Sequence, residues 1–163
     1  MARLDIPLEQ LTEEISGQWS NEDWQSWYTA NKEEEHYADY KIREAKKSEI
    51  PKIKRLVAKT HFECEPETAT RMVVAEKDGK LIGYQEIERY YTHDTDYLRV
   101  LVVHPKYRKQ GIGEAIVSHI ITDGGRYQCS IHYDNDASLN LFKKLGFTLG
   151  DTINGLVQVH YGF

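Results

Sequence analysis

Hydrophobic residues recur along the chain with two different periods, and these periods predict its secondary structure. After Gly111, apolar side chains and one histidine recur at every third or fourth residue, which predicts a helix that ends near Gly124. Similar spacing predicts helices at Ser48–Lys59, with Ser48 as N-cap, and at Ala137–Leu145. Apolar runs predict strands at Tyr40–Arg43, Arg71–Glu76, Lys80–Tyr90, Tyr97–Val103, Gln128–Tyr133 and Leu156–Tyr161.

The order of these elements predicts the fold class. Asp78-Gly79, between the second and third strands, is a signal for a tight hairpin turn, so those strands should pair antiparallel. Residues 61–70, HFECEPETAT, predict a loop with one irregular turn. Strands and helices alternate over the rest of the chain, which predicts an α+β arrangement with a mixed sheet layered by helices.

Residues 1–38 form an acidic, aromatic-rich extension for which two helices are predicted. The first rests on the spacing of three apolar residues, Leu8, Leu11 and Ile15. The second rests on the capping pair Ser20 and Asp23. Three tryptophans lie within the first 27 residues and require burial. Either the extension packs across its own domain, or its tryptophans contact a partner subunit or the acceptor pocket.

Composition and charge narrow the class of protein. The 163 residues are 40% hydrophobic, which suits one soluble globular domain. No apolar run approaches the roughly 18 residues that a membrane span needs. The first 38 residues hold nine acidic and two basic side chains, so a local charge of −7 within the total of −5 leaves the rest at +2. This balance argues against general nucleic-acid binding and fits a small anionic cofactor.

Location and metal content can also be predicted. The N-terminus is amphipathic and acidic where a secretory signal would be basic and then apolar, so we expect a cytoplasmic protein. Cys64 and Cys129 are isolated, which indicates reduced side chains. The histidines lie on different predicted elements without metal-ligand spacing, and no metal site is expected.

The segment Leu98–Gly113, LRVLVVHPKYRKQGIG, carries the clearest chemical signal. A strand leads into a basic turn and two glycines, and then a helix begins. The unpaired N–H groups of a helix N-terminus favour an anion. Gly111 and Gly113 let phosphate oxygens approach the backbone, and Arg108 and Lys109 supply positive charge. A nucleoside-triphosphate loop would need Lys-Ser/Thr after the last glycine, and a dinucleotide loop a third glycine, so both fit poorly.

Two ordered motifs resemble those of a known family. Arg108-x-x-Gly111-x-Gly113, preceded by Val103-His104-Pro105-Lys106-Tyr107, resembles the acyl-CoA pyrophosphate motif of the GNAT superfamily of N-acetyltransferases. Residues Asn135 to Phe147, which end in Leu-Gly-Phe, are similar to the segment that follows in that family. The resemblance covers residues 39–163, and residues 1–38 lie outside it. It implies acetyl-CoA as co-substrate, no metal, and a largely antiparallel mixed sheet between helices, an α/β/α layered fold.

The resemblance also implies which residues contact the co-substrate. The main chains of Leu101 and Val103 would pair with the pantetheine arm, and backbone N–H groups where this strand splays from its neighbour would meet the oxyanion. Asn135 would contact the same arm through its amide, although asparagine at a strand end also forms caps and turns. The full set of predicted contacts is Leu101, Val103, Arg108, Lys109, Gln110, Gly111, Ile112, Gly113, Asn135 and Phe142.

Phe142 departs from the family pattern. It stands where the family often has a tyrosine that acts as general acid, and phenylalanine cannot donate a proton. Because a thiol titrates near pH 8.5, the thiolate can leave without full protonation, so activity can survive this change. Tyr133 or a water molecule could substitute as the acid, and Phe142 could pack against the co-substrate.

Glu86 and Glu88 are the predicted catalytic residues. Attack on a thioester requires a neutral amine, and an alkyl amine titrates near pH 10.4, so a base must remove its proton, usually through water. In the family, the Lys80–Tyr90 strand lies beside the thioester. Strand alternation would place the two carboxylates on one face with Ile82, Tyr84 and Tyr90. The alternative is that one or both face solvent or pair with Arg89 or Arg99.

The expected reaction is transfer of an acetyl group from acetyl-CoA to a primary amine of a small cationic molecule. Acidic side chains in the 63–67 loop, on the 86–88 strand segment, in the 94–96 turn and at Asp134 could attract such a cation. The alternatives are a protein lysine or N-terminal amine as acceptor, and acyl-CoA binding without catalysis. No nucleic-acid or membrane partner is expected, and a homodimer is left open.

Overall fold

One sheet runs through the molecule and positions its helices. The structure is a computed structural model that describes residues 6–7, 10–11, 16–90 and 94–163, without the side chain of Tyr90. The helices of this part are α1 (Asn21–Asn31), α2 (Ile50–Val57), α3 (Ile112–Ile121) and α4 (Asp136–Lys144). Its strands are β1 (Glu35–His36), β2 (Lys41–Glu44), β3 (Arg71–Lys77), β4 (Lys80–Tyr90), β5 (Thr95–Val103), β6 (Tyr127–His132), β7 (Thr148–Ile153) and β8 (Leu156–Tyr161).

The strands lie in the order β1-β2-β3-β4-β5-β6-β8-β7. Neighbouring strands pair antiparallel, except for β5 and β6, which are parallel. This parallel pairing is short, because it joins only Asp96 to Tyr127 and Tyr97 to Gln128. From Leu98 onward β4 is the one strand among the described residues that pairs with β5. The predicted α+β fold, a largely antiparallel mixed sheet flanked by helices, is confirmed.

Two hydrophobic clusters cover the two sides of the sheet. On one side, Ile116 and Ile120 of α3 are fully buried against strand residues such as Val73. On the other side, Ile53 and Leu56 of α2 pack with strand residues of the second cluster. Complete burial of one such side chain contributes about 1.5–3 kcal/mol, so these two stripes fix both helices on the sheet.

Several element boundaries differ from the sequence-based expectation for physical reasons. Ser48 is not the N-cap of α2, because residues 47–49 form a 3₁₀ turn and Glu49 accepts a hydrogen bond from the Lys46 N–H instead. Strand β7 was not predicted, although Asn154-Gly155 before β8 is a strong hairpin signal. Both turn residues have positive φ, 52° and 80°, as a tight hairpin requires.

The second helix of the extension is present as α1, and it packs on its own domain. Ser20 and Asp23 form the expected reciprocal capping box. Trp24 and Trp27 are buried beside Tyr28, and the Trp27 indole donates to a backbone carbonyl of the extension. The first predicted helix, over Leu8, Leu11 and Ile15, lies largely outside the described residues. The division of the chain at residue 38 stays a prediction.

None of the helices in the described ranges combines the length and apolar character that a membrane crossing requires.

Candidate active site

A cleft of about 1100 Å³ lies between the end of β5, the start of α3 and the start of α4. Its size suits a ligand larger than a simple metabolite. Eight of the predicted co-substrate contacts line it: Leu101, Val103, Arg108, Lys109, Gly111, Ile112, Gly113 and Asn135. The fold therefore brings the two sequence motifs to one place.

Two predicted contacts do not line the cleft. Gln110 is exposed on the loop. Phe142 is 3% exposed and packs edge-to-face on Phe147, with ring centroids 4.9 Å apart. Because its ring belongs to the core between α4 and the sheet, Phe142 is a packing residue, and the structure does not place it against a molecule in the cleft.

The loop before α3 adopts a backbone conformation that ordinary side chains disfavour. Lys109 has φ 61° and Gly111 has φ 80°. The left-handed conformation costs a non-glycine residue of order 1 kcal/mol or more, and such strain is common at ligand-binding loops. It turns the chain so that Gly111 becomes the N-cap of α3.

The start of α3 has the features of an anion site. Its first helical hydrogen bond runs from the Ala115 N–H to the Gly111 carbonyl, 2.9 Å. Among the described residues no side chain caps this end, so the backbone N–H groups of residues 112–114 have no capping acceptor. Arg108 and Lys109 are exposed and form no salt bridge within the described ranges. Positive charge and backbone donors thus converge without a carboxylate partner.

Gly113 has a packing role that the sequence did not reveal. A Cβ atom at this position would lie 3.2 Å from Leu141 Cδ1 and 3.6 Å from Leu101 Cδ2. The absence of a side chain therefore lets α3 approach α4 and β5 closely.

Asn135 joins the end of β6 to α4. Its Oδ1 accepts a hydrogen bond of 3.2 Å from the Ser138 N–H, which makes it the N-cap of α4. The capping role that the sequence left open is therefore present, and the same residue lines the cleft. Ser138 and Leu141 line the cleft three and six residues after Asn135, one and two helical turns further on, and this spacing was a signal for them. His61 and Phe62 line it from a loop without a comparable signal.

Glu86 lies on the α2 side of the sheet, where two hydrogen-bond donors and one guanidinium surround its carboxylate. The Tyr84 hydroxyl and the Glu65 backbone N–H each donate to Oε1 at 2.9 Å, and Arg99 Nε lies 3.1 Å from Oε2. Glu86 is 1% exposed, and burial raises the pKa of its carboxyl although these partners oppose the rise. A buried carboxylate with a raised pKa is a common general base.

Glu88 is more accessible and has a separate contact to the same arginine. Its side chain is 35% exposed, and Oε2 accepts from Arg99 Nη1 at 3.2 Å. The pairing with Arg99 that the sequence offered as an alternative is therefore present for both carboxylates. A bulge explains it, because Glu86 faces Val100 and Ile87 faces Leu98, so Arg99 is the extra residue of β5.

The predicted set of side chains on one face of β4 is only partly correct. Tyr84 and Glu86 share a side, as their hydrogen bond shows. Ile82 instead belongs to the core cluster on the α3 side. The register irregularity between β3 and β4 causes this, because Ala75 faces Gly83 whereas Glu76 faces Leu81, which leaves Ile82 as an extra residue.

The match to a known family covers most of the chain. Residues 18–147 match the acetyltransferase (GNAT) family, and the protein belongs to that family. The predicted resemblance is confirmed, and with it the class of enzyme that it implied, an acyl-CoA N-acyltransferase.

Two relatives and one solved structure show the range of similar proteins. Mycothiol acetyltransferase of Streptomyces bingchenggensis is 34% identical over 83 residues, which cover 48% of this chain and 25% of that protein. The chain thus spans about a quarter of that relative's length. Peptidyl-lysine N-acetyltransferase YiaC of Escherichia coli is 26% identical over 128 residues, covering 68% of this chain and 84% of that protein. The structure of Arabidopsis thaliana Naa50 in complex with the bisubstrate analogue CoA-Ac-MVNAL matches with a TM-score of 0.65 at 16% sequence identity. This match covers 77% of this chain and 100% of the Naa50 chain.

Proposed function

We propose that this protein transfers the acetyl group of acetyl-CoA to a primary amine and that the diphosphate binds at the start of α3. The observation that carries this proposal is the start of α3, which no described side chain caps. It lies beside Arg108 and Lys109, which form no salt bridge with any described residue, in a cleft large enough for CoA. The free edge of β5 beyond Tyr97 supports it, because an extended pantetheine arm can pair there as a strand would.

In the proposed reaction the amine nitrogen attacks the thioester carbonyl carbon, and the carbon–sulfur bond breaks. Glu86 takes the amine proton, directly or through one water molecule. Tyr84 and Arg99 hold its carboxylate in place through the contacts described above. The departing thiolate is neutralised by a proton from solvent, since a thiol titrates near pH 8.5. Backbone N–H groups on the free edge of β5 would stabilise the charge that develops on the carbonyl oxygen.

The proposed acceptor is a small cationic amine. Glu65, Glu86 and Glu88 lie together on the α2 side, and Arg99 offsets part of their charge, which leaves a modest negative field that favours a cation. A protein lysine or N-terminal amine is the second candidate, because YiaC is named for peptidyl-lysine and the Naa50 structure holds a CoA–peptide analogue.

Release of free CoA thiol tests the proposal. The protein is incubated with acetyl-CoA and a panel of polyamines, amino sugars, lysine-containing peptides and peptides with free N-termini, and thiol is measured against buffer. Release with one class of amine supports acetyl transfer and names the acceptor. Binding of acetyl-CoA without release above buffer for any amine would instead indicate an acyl-CoA-binding module. Absence of acetyl-CoA binding would overturn the assignment of the cleft.

A further inference from the structure

A second groove lies on the α2 side of the sheet, separate from the acetyl-CoA cleft. It has a volume of about 320 Å³ and lies between α2 and the turn that joins β3 to β4. Lys52 and Arg55 of α2 line it together with Lys59, which lies in the turn two residues beyond the end of α2. These three cations recur at every third or fourth residue and so lie on one side of this segment. Lys80 and His104 add polar side chains from two other elements, and no carboxylate of the described part of the chain belongs to the lining. We call this set of five residues the basic groove.

Three cations of the basic groove differ from Lys54, another cation of α2, in their salt bridges. Lys54 points elsewhere on α2 and forms a salt bridge with Glu67. Within the described ranges Arg55, Lys59 and Lys80 form no salt bridge. A solvated basic face would place its charges apart, whereas here three separate elements direct theirs to one concave surface. Like charges held together without a counter-ion repel each other, and a bound anion would relieve that repulsion.

His104 supplies a neutral hydrogen-bond donor to the groove. The residue is 5% exposed, and Nδ1 accepts a hydrogen bond of 3.1 Å from the Lys106 N–H. An accepting Nδ1 carries no proton, so in the neutral ring the proton is on Nε2. Burial lowers the pKa of His104, and the charges of Lys80, Lys59 and Lys106 lower it further, which favours the neutral ring. Nε2–H is then available to an acceptor oxygen.

We propose that the basic groove binds a compact anion that carries two or more phosphate groups. Several cations and one fixed N–H donor on three elements match an oligophosphate, whose oxygens accept hydrogen bonds in many directions. The volume admits an oligophosphate or the phosphate end of a nucleotide. The apolar side chains of Leu56 and Leu81, which also line the groove, would contact the non-phosphate part of a nucleotide.

The experiment must separate this groove from the cationic start of α3. Inorganic tripolyphosphate is therefore titrated calorimetrically into the Arg108→Ala protein, in which the proposed CoA site is weakened. The same titration follows after Lys59→Ala and Lys80→Ala are added. A charge-matched control adds Lys47→Ala and Lys143→Ala, two exposed lysines outside both sites. His104→Phe in the Arg108→Ala protein tests the neutral donor, and thermal unfolding checks that each variant is folded.

We expect the Lys59/Lys80 pair to weaken tripolyphosphate binding at least tenfold, His104→Phe to weaken it severalfold, and the control pair to change it less than twofold. ATP is titrated in parallel. Tighter binding of ATP than of tripolyphosphate would identify a nucleotide as the source of the phosphates, whereas equal binding of the two would identify a free oligophosphate. Equal loss in the control pair, or absence of binding to the Arg108→Ala protein, would overturn the proposal. Neither result depends on acetyl transfer, so the proposed function is tested separately.

Discussion

The backbone N–H of Glu65 donates a 2.9 Å hydrogen bond to the carboxylate of Glu86, which ties the loop before β3 to the middle of β4. The guanidinium of Arg99 strengthens this connection, because Nη2 donates to the Glu65 carbonyl at 2.9 Å while Nε lies beside Glu86. The candidate base and the loop before β3 are therefore one hydrogen-bonded unit. A substitution that moves the loop before β3 should therefore also displace the Glu86 carboxylate, and a substitution of Glu86 should affect that loop.

We predict that Glu86→Gln lowers the rate of acetyl transfer by about 100-fold at pH 7, since a general base contributes roughly 10²–10⁴-fold. Acetyl-CoA affinity should stay within about twofold. In the wild type the base must be ionised, and burial raises the pKa of Glu86, so kcat/KM should fall with decreasing pH at values above the ordinary 4.5. The measurement is a pH profile of kcat/KM with and without the substitution.

Glu88→Gln is the matched control, because it removes a carboxylate that contacts the same Arg99 but is 35% exposed. We expect Glu88→Gln to lower the rate of acetyl transfer severalfold less than Glu86→Gln does. The decrease of kcat/KM at low pH should be the same as in the wild type. If Glu86→Gln retains the wild-type rate and pH profile, Glu86 is not the base. Glu88 or a water molecule would then take that role.

The arrangement around Glu86 shows what the sequence could and could not predict. Glu86 was identifiable as a strand residue in a position suited to a base. Its contact with Glu65 joins residues 21 positions apart through an irregular loop, and loops carry no periodic signal. The bulge that inserts Arg99 between the two carboxylates was equally hidden, because strand alternation assumes an unbroken register.

The cleft was more predictable, because its residues lie in two continuous motifs with strong local preferences. Gly111 adopts the left-handed conformation that glycine tolerates best, and α3 follows from its apolar stripe. Phe142 shows the limit of a resemblance. A family position can be assigned from the motif, whereas the direction of the ring depends on core packing with Phe147.

We predict that Arg108→Ala weakens acetyl-CoA binding at least tenfold, which corresponds to about 1.4 kcal/mol and is within the contribution of one charge-assisted contact. Gly111→Val should have a similar effect for a different reason. The space at this position is open, but φ of 80° strains any β-branched residue and would move the loop. Calorimetric titration of acetyl-CoA measures both.

Lys143→Ala is the control for Arg108→Ala, because it removes one exposed positive charge from α4 and does not line the cleft. Its acetyl-CoA affinity should match the wild type within about twofold. Unchanged affinity in both Arg108→Ala and Gly111→Val would refute diphosphate binding at the start of α3.

We predict that α1 positions the loop before β3, whose Glu65 contacts the candidate base Glu86. The Gln25 side chain donates to the Ala69 carbonyl at 2.7 Å, and Asn21 donates to the Thr68 carbonyl at 2.8 Å. Gln25→Ala should leave a buried carbonyl unpaired, destabilise the fold by about 1–3 kcal/mol and raise the acceptor KM severalfold, without a change in acetyl-CoA affinity. Ser26→Ala, on the exposed side of the same helix, is the control. An unchanged acceptor KM would limit α1 to a structural role.

A buried ionic network connects the start of the sheet to α3 and supports the last prediction. Glu44 forms two hydrogen bonds with Arg71, 2.7 and 3.0 Å, and its Oε2 lies 3.0 Å from His119 Nε2. His119 Nδ1 lies 2.9 Å from a carboxylate oxygen of Glu35, so both ring nitrogens face acceptors. Burial acts to raise the pKa of Glu44, but Arg71 and His119 outweigh it and hold that pKa below its ordinary value.

Glu44→Gln should therefore lower the free energy of unfolding at pH 7 by about 3 kcal/mol, because it removes the charge that compensates the buried guanidinium of Arg71. The sign of the pH dependence follows from the lowered pKa. The carboxylate stabilises the fold fully above the unfolded pKa of about 4.5, and this contribution is lost as the pH falls through the folded value. Chemical unfolding should be measured between pH 3 and 7. The free energy of unfolding should decrease steeply with falling pH in the wild type and less steeply in Glu44→Gln. Parallel curves for the two proteins would contradict the role assigned to Glu44.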